Sequence, residues 1–271
     1  MPGTHVALHE YQHEDGTIYR TGCLKQAYPG RIVSVQDGLP SMPLLDRNTL
    51  IDVIKDAGGK ICLPYRGPIY MQGKWNWCWN EATLQMCQLL LDMLYGDNQL
   101  LSPSLGGAIC VDYANEGDAI DSMLVKVLQP HGICTAAWMG DNPLTMKIVR
   151  PLKEGWQAEA AKRAKPQPFM ADNFLVMGSG VVDGHPGVIG VDWQGQGHAI
   201  GFAEVGYNVD GLYGATPGTW SESFRSGWGS YPGKPGWYKL QEEEYSAAFN
   251  GGYGAYLLAG LTDSDAVPDL V

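Results

Sequence analysis

Charge is what this sequence has least of. Only 17% of its 271 residues are charged, against about 25% in an average chain. Basic residues are the scarcer kind, 18 Lys and Arg to 29 Asp and Glu, which leaves a formal net charge of −11. A chain without a basic excess lacks the electrostatic footprint of a nucleic-acid binder, so that role is excluded. No run of about 18 apolar residues occurs, so nothing reads as a membrane span and no membrane partner is expected. The opening Met-Pro-Gly-Thr-His-Val has no basic flank leading into an apolar stretch. No secretory signal is read, and the expected location is cytoplasmic or particle-associated. The six cysteines (Cys23, Cys62, Cys78, Cys87, Cys110 and Cys134) contain no C-x-x-C pair and are too sparse for a disulfide scaffold. Reduced thiols follow. Their spacing with the six histidines matches no zinc motif, so no metal and no cofactor is expected.

Apolar residues, at 45%, are ample for a core, and 36 glycines are about twice the usual share. Helical periodicity predicts a helix over Asp46–Ala57. The strongest covers about Cys78–Tyr95, with Ala82, Met86, Leu89, Leu90 and Met93 on one stripe and Gly96 as its stop. Another runs about Asp118–Gln129, ended by Pro130 and Gly132, and a fourth is expected near Pro151–Ala164. A short strand is expected at Arg31–Val35. From Phe174 onward short apolar or alternating runs between Gly, Pro and Asn turns read as strands: Phe174–Met177, Val188–Val191, His198–Val205, Gly211–Ala215, Trp237–Leu240 and Ala255–Ala259. A helical first part and a strand-rich second part predict an α+β fold.

Chemistry concentrates at Tyr70–Trp79, Y-M-Q-G-K-W-N-W-C-W. Cys78 stands at the predicted start of the long helix, where unpaired N–H groups and the helix dipole favour a thiolate. The thiolate is the nucleophilic form, and it needs a base that orients and stabilises it. His198, at the head of a predicted strand in G-Q-G-H-A-I-G-F-A, is the best candidate.

These stretches resemble the papain-like cysteine peptidases. Gln72, Gly73, Cys78 and Trp79 fill the family's Gln-Gly-x-x-x-x-Cys-Trp stretch without a gap. His198-Ala199 with Val205-Gly206-Tyr207 resembles its histidine element, and Leu101-Ser102-Pro103 its Leu-Ser element. Gly117–Gly132 with Ile133-Cys134 resembles its Gly-x-x-x-Ala-Leu helix and Gly-Ile turn, and Ser226–Leu240 is similar to its late Trp-Gly segment. The likeness spans about residues 60–245. It implies a papain-like two-lobe fold with a helical N-terminal lobe, an antiparallel β-sheet C-terminal lobe and the active-site cleft between them. The implied division is an N-terminal extension over 1–60, a helical lobe over 61–170, a β-rich lobe over 171–261 and a loose acidic tail over 262–271. The implied roles are Cys78 as nucleophile, His198 as base and then acid, and Gln72 as oxyanion donor. Gly73, Trp79, Gly117 and Gly197 would contact substrate.

The sequence also departs from that pattern. The orienting Asn is absent, and Ser226 takes its place if Trp228 matches the family tryptophan. Trp75 stands where the family has a half-cystine. Asn80 and Glu81 follow Cys-Trp in place of small and aromatic residues, and Asn115-Glu116-Gly117 replaces a cleft Asn-Gly-Gly. The implied function is a cysteine-type peptidase acting on peptide or isopeptide bonds, with a peptide or protein as partner. Two alternatives stand beside it: an inactive scaffold used in binding or assembly into a larger complex, and a Cys–His hydrolase of cell-wall peptide cross-links. Only 77 residues precede Cys78, so no long inhibitory prosegment is expected. Other features take plainer readings. Cys87, Cys110 and Cys134 are buried small hydrophobes. His5, His9 and His13 form a solvated strip, and Gly178-Ser179-Gly180 a turn. Trp220, Trp228 and Trp237 are core or cleft wall, and Glu242–Glu244 is a solvated face.

Overall fold

The structure is a computed structural model that describes residues 10–12, 18–20, 23–70, 72, 75–193, 196–217 and 237–260. Strands β1 (Glu10–Gln12) and β2 (Ile18–Arg20) form a small antiparallel pair. Helices α1 (Val35–Gly38) and α2 (Arg47–Asp56), strand β3 (Lys60–Cys62) and the long α3 (Cys78–Tyr95) follow. Next come α4 (Ser104–Val111), α5 (Ile120–Met123), α6 (Gln129–His131), α7 (Ala136–Met139) and α8 (Trp156–Ala160). The later chain holds β4 (Gln167–Met170), α9 (Phe174–Val182), β5 (Gly187–Trp193), β6 (Gln196–Phe202), β7 (Glu204–Asn208), β8 (Gly211–Pro217), β9 (Trp237–Gln241), α10 (Ser246–Asn250) and β10 (Ala255–Ala259).

Two four-stranded antiparallel sheets dominate the later chain, in the orders β4-β10-β5-β6 and β3-β7-β8-β9. β6 and β7 are one run of chain that changes sheet at Ala203, which gives its carbonyl to Leu63 N–H and its N–H to Ala215 O. This ties both sheets to the strand that carries His198. Against β6 packs α3. Every residue of α3 from Cys78 to Leu91 is buried, as expected of a helix enclosed on all sides rather than laid on a surface. Gly96 ends it with φ 66, the left-handed geometry glycine adopts without steric cost. Among the described residues no helix is long and apolar enough to cross a membrane.

The helices at 46–57 and 78–95 form where their periodicity places them, the first capped by the Asp46 side chain on Thr49 N–H. Other expectations need correction. Phe174–Met177 is not a strand, and Gly178-Ser179-Gly180 is not a turn, because both belong to α9. Asn173 caps that helix by accepting from Val176 N–H. Its glycines serve packing: a Cβ on Gly178 would lie 2.9 Å from Leu50, and one on Gly180 2.4 Å from Leu257. The expected helix over 151–164 shrinks to α8, because Gly155 at φ 80 breaks its start. The expected strand over 31–35 is only a bridge between Ser34 and Met170, since Ser34 turns to cap α1. Pro130 does not stop its helix. A π turn over Leu124–Leu128 precedes α6, so the ladder widens just ahead of the residue that has no N–H to give, and Gly132 makes the stop. The terminal tail and His5, His9 and His13 lie outside the described residues.

Behind the start of α3, Gly107 in α4 lies flat against the Trp77 ring. A Cβ there would lie 2.1 Å from the indole, a fully buried and rigid neighbour. Gly107→Ala is therefore expected to destabilise by about 1–3 kcal/mol through overpacking. Thermal unfolding should show this as a fall of about 3–10 °C.

Candidate active site

Cys78 opens α3 and His198 lies on β6, paired across the ladder with Val191. The two elements bring them together: Ala199 N–H, one residue past His198, donates to Cys78 Sγ at 3.4 Å. Gln72 approaches from the preceding segment and is buried, its amide N–H donating to Trp75 O at 2.5 Å. The start of the helix is braced from the α4–α5 loop. Asn76 N–H donates to Asn115 Oδ1 at 2.7 Å, Asn76 Nδ2 to Asn115 O at 3.1 Å, and the Trp77 indole N–H to Ala114 O at 2.9 Å.

Neither Cys78 nor His198 reaches solvent. Burial pushes the His198 imidazole down to about 3, so it is neutral at physiological pH in this state. Segment 23–28 runs beside the edge of β6 and is pinned to both sides. Toward the sheets, Cys23 N–H donates to Gly197 O at 3.1 Å, Gln26 N–H to Gly252 O at 2.8 Å, and the Gln26 amide to Tyr256 Oη at 2.7 Å. Toward the helices, Leu24 N–H donates to Asp118 O at 3.1 Å, and Ala27 and Tyr28 N–H donate to the Asp121 carboxylate at 2.9 and 2.7 Å. Among the described residues no group of three His, Cys, Asp or Glu side chains is arranged to hold a metal ion.

No protein-family model matches the sequence, and no curated protein sequence matches it. Solved structures do. Xylellain, a cysteine protease from Xylella fastidiosa, superposes with TM-score 0.59 at 15% identity over 89% of this chain and 96% of that one. Digestive procathepsin L2 proteinase from Tenebrio molitor larval midgut gives TM-score 0.62 at 13% identity over 89% and 78%. ProCathepsin B S9 from Trypanosoma congolense gives 0.57 at 13% over 89% and 87%. The fold is papain-like.

Within the papain-like frame, the sequence-predicted residues are distributed unevenly. Cys78 meets β6 beside Gly197, His198 and Ala199, and Gln72 is bonded to Trp75. Gly117 is half-buried on the loop leading to α5. Trp79 is fully buried in α3. Gly73 and Ser226 lie outside the described residues, as do Trp220 and Trp228, while Trp237 is buried. Where the family has a half-cystine, Trp75 packs on Trp77 with ring centroids 4.7 Å apart. The Arg150 guanidinium covers Trp75 at 5.0 Å and Tyr113 at 5.1 Å. This cation–π clasp joins the two loops with no bond between sulfurs, and the distant Arg150 gave no signal of it in sequence.

A short stretch can occupy the position beside β6 without a long prosegment. Such a stretch needs only enough length to bond both walls, and six residues do so here. Asp121 is its strongest pin, since each bond to a carboxylate contributes about 1.5–3 kcal/mol. Asp121→Asn is expected to raise the rate of Cys78 alkylation by iodoacetamide about 10- to 100-fold in a protein whose far-UV circular dichroism is unchanged. An unchanged rate would show that the segment is held by its other bonds.

Proposed function

We propose that this protein is a cysteine-type peptidase in which Cys78 attacks the carbonyl of a peptide or isopeptide bond and His198 manages the proton. The observation that carries the reading is the hydrogen bond from Ala199 N–H to Cys78 Sγ, which sets the helix-start sulfur against the strand that bears the imidazole. Once the 23–28 segment lifts and water enters, the desolvation that depresses His198 is relieved, and the imidazole can accept the thiol proton. In this reading Gln72, whose amide now donates to Trp75 O, turns its N–H toward the oxyanion. The acyl group then passes from Cys78 to water, with His198 returning its proton first to the leaving amine.

The scaffold reading draws on a different observation, the complete burial of Cys78 and His198. One experiment separates the two. Iodoacetamide should label Cys78 faster than the equally buried Cys87, and label uptake at Cys78 should track loss of hydrolysis of a peptide library. His198→Ala should slow that labelling. Labelling of Cys78 no faster than of Cys87, with no library cleavage, favours the scaffold. Cleavage confined to cell-wall peptide fragments would narrow the substrate to cross-links.

A further inference from the structure

We infer that Cys23 and Cys78 are the two halves of a disulfide that forms on oxidation and fastens the 23–28 segment over the site. β6 is an edge strand of its sheet. Main-chain groups of a strand alternate between its two edges, so Gly197 C=O and Ala199 N–H open to the same side. Gly197 C=O accepts from Cys23 N–H at 3.1 Å, and Ala199 N–H donates to Cys78 Sγ at 3.4 Å. The backbone of Cys23 and the sulfur of Cys78 thus occupy successive positions on one strand edge. Cys78 is also close enough to Cys23 for its charge to act on the Cys23 thiol.

Further contacts hold Cys23 there. The bond from Leu24 N–H to Asp118 O fixes it from the helical side. The close approach to β6 depends on Gly197, where a Cβ would lie 2.1 Å from Cys23 O. Cys23 is buried, and its thiol is held well above the usual range by that burial and next by Cys78 itself. Both residues are thiols in this structure.

A small-molecule disulfide such as oxidised glutathione supplies the oxidant. One cysteine thiolate attacks it and forms a mixed disulfide, releasing one glutathione thiolate that takes up the proton. The second cysteine then displaces the second glutathione and closes the Cys23–Cys78 bond. The two protein thiols lose two electrons and two protons, and the oxidant becomes two molecules of reduced glutathione. The consequence for activity rests on the peptidase reading, whereas the bond itself does not.

The test treats the full chain with oxidised glutathione, blocks remaining thiols with N-ethylmaleimide and maps the unreduced digest by mass spectrometry. The expected result is the Cys23 peptide joined to the peptide containing Cys78. The link should persist in Cys87→Ser and Cys110→Ser and be absent from Cys23→Ser and Cys78→Ser. Hydrolysis by the oxidised protein should fall at least tenfold and return with dithiothreitol. Recovery of Cys23 and Cys78 as separate blocked or glutathionylated residues would overturn the inference. If the link forms but the reduced protein never cleaves a peptide, the fastening stands and the peptidase reading fails.

Discussion

Cys78→Ala is expected to abolish peptide hydrolysis, with a loss of at least about 10⁴-fold. Removal of a nucleophile leaves only binding and oxyanion stabilisation, and in a serine peptidase the corresponding loss is about 10⁶-fold in kcat. His198→Ala should cost nearly as much, because the two groups act as a unit and neither works alone. The double variant should therefore be no slower than the worse of the singles. Initial rates on one fluorogenic peptide, measured in parallel for the four proteins, check this. Additive losses would mean that Cys78 and His198 do not share a step, despite the bond between Ala199 N–H and Cys78 Sγ.

Glu81→Met is expected to stabilise the protein, by about 1–3 kcal/mol near neutrality from relief of polar burial alone. Glu81 lies one turn along α3 and is completely buried, and neither carboxylate oxygen has a hydrogen-bond partner in the structure. Burial, and after it the charge of Asp141, push its carboxyl well above the usual range. The folded state thus holds a proton that the unfolded chain releases above about pH 4.5. Stability contributed by that proton is full below pH 4.5 and is lost as pH rises toward the folded value. The stabilisation by Glu81→Met should accordingly grow as pH rises above about 4.5, and Glu81→Gln should reproduce the pH dependence. Urea midpoints at pH 5 and pH 8 decide the matter. An equal difference at both values would show that Glu81 is not protonated on folding.

His198 acts in the opposite sense. Its depressed imidazole leaves the folded state without a proton that the unfolded chain binds below about pH 6.5. That contribution is present above pH 6.5 and is lost as pH falls toward about 3. The Glu81 variants must therefore be compared at matched pH.

Much of the framework around the candidate site was legible in sequence because its signals are local. The spacing from Gln72 to Cys78, the stripe of α3 and the His198-Ala199 pair each occupy a short stretch. The glycine stop at Gly96 and the strand Ala255–Ala259 were legible for the same reason. What escaped depends on tertiary packing. The stripe on α3 predicts one buried face, yet Asn80, Glu81, Gln85 and Gln88 are buried as well, because the helix is enclosed on every side. Helix α9 was misread because its glycines, poor helix formers, are required by Leu50 and Leu257 from distant segments. Segment 23–28 has no periodicity of its own, and its conformation follows from acceptors on Gly197, Gly252, Asp118 and Asp121.

Under the proposed function, the two-sided anchoring of residues 23–28 would also set the kinetics of an incoming peptide. Under that function an extended peptide would compete for the carbonyls that Cys23 and Leu24 already occupy. Because this rival is part of the chain, dilution cannot remove it, and its local concentration is on the order of millimolar for a short tether. The apparent Kd of such a peptide is then its intrinsic value divided by the fraction of time the segment is open. Turnover at saturating peptide would then report how often the segment peels off, and shortening or loosening the tether would alter throughput without touching the reacting atoms.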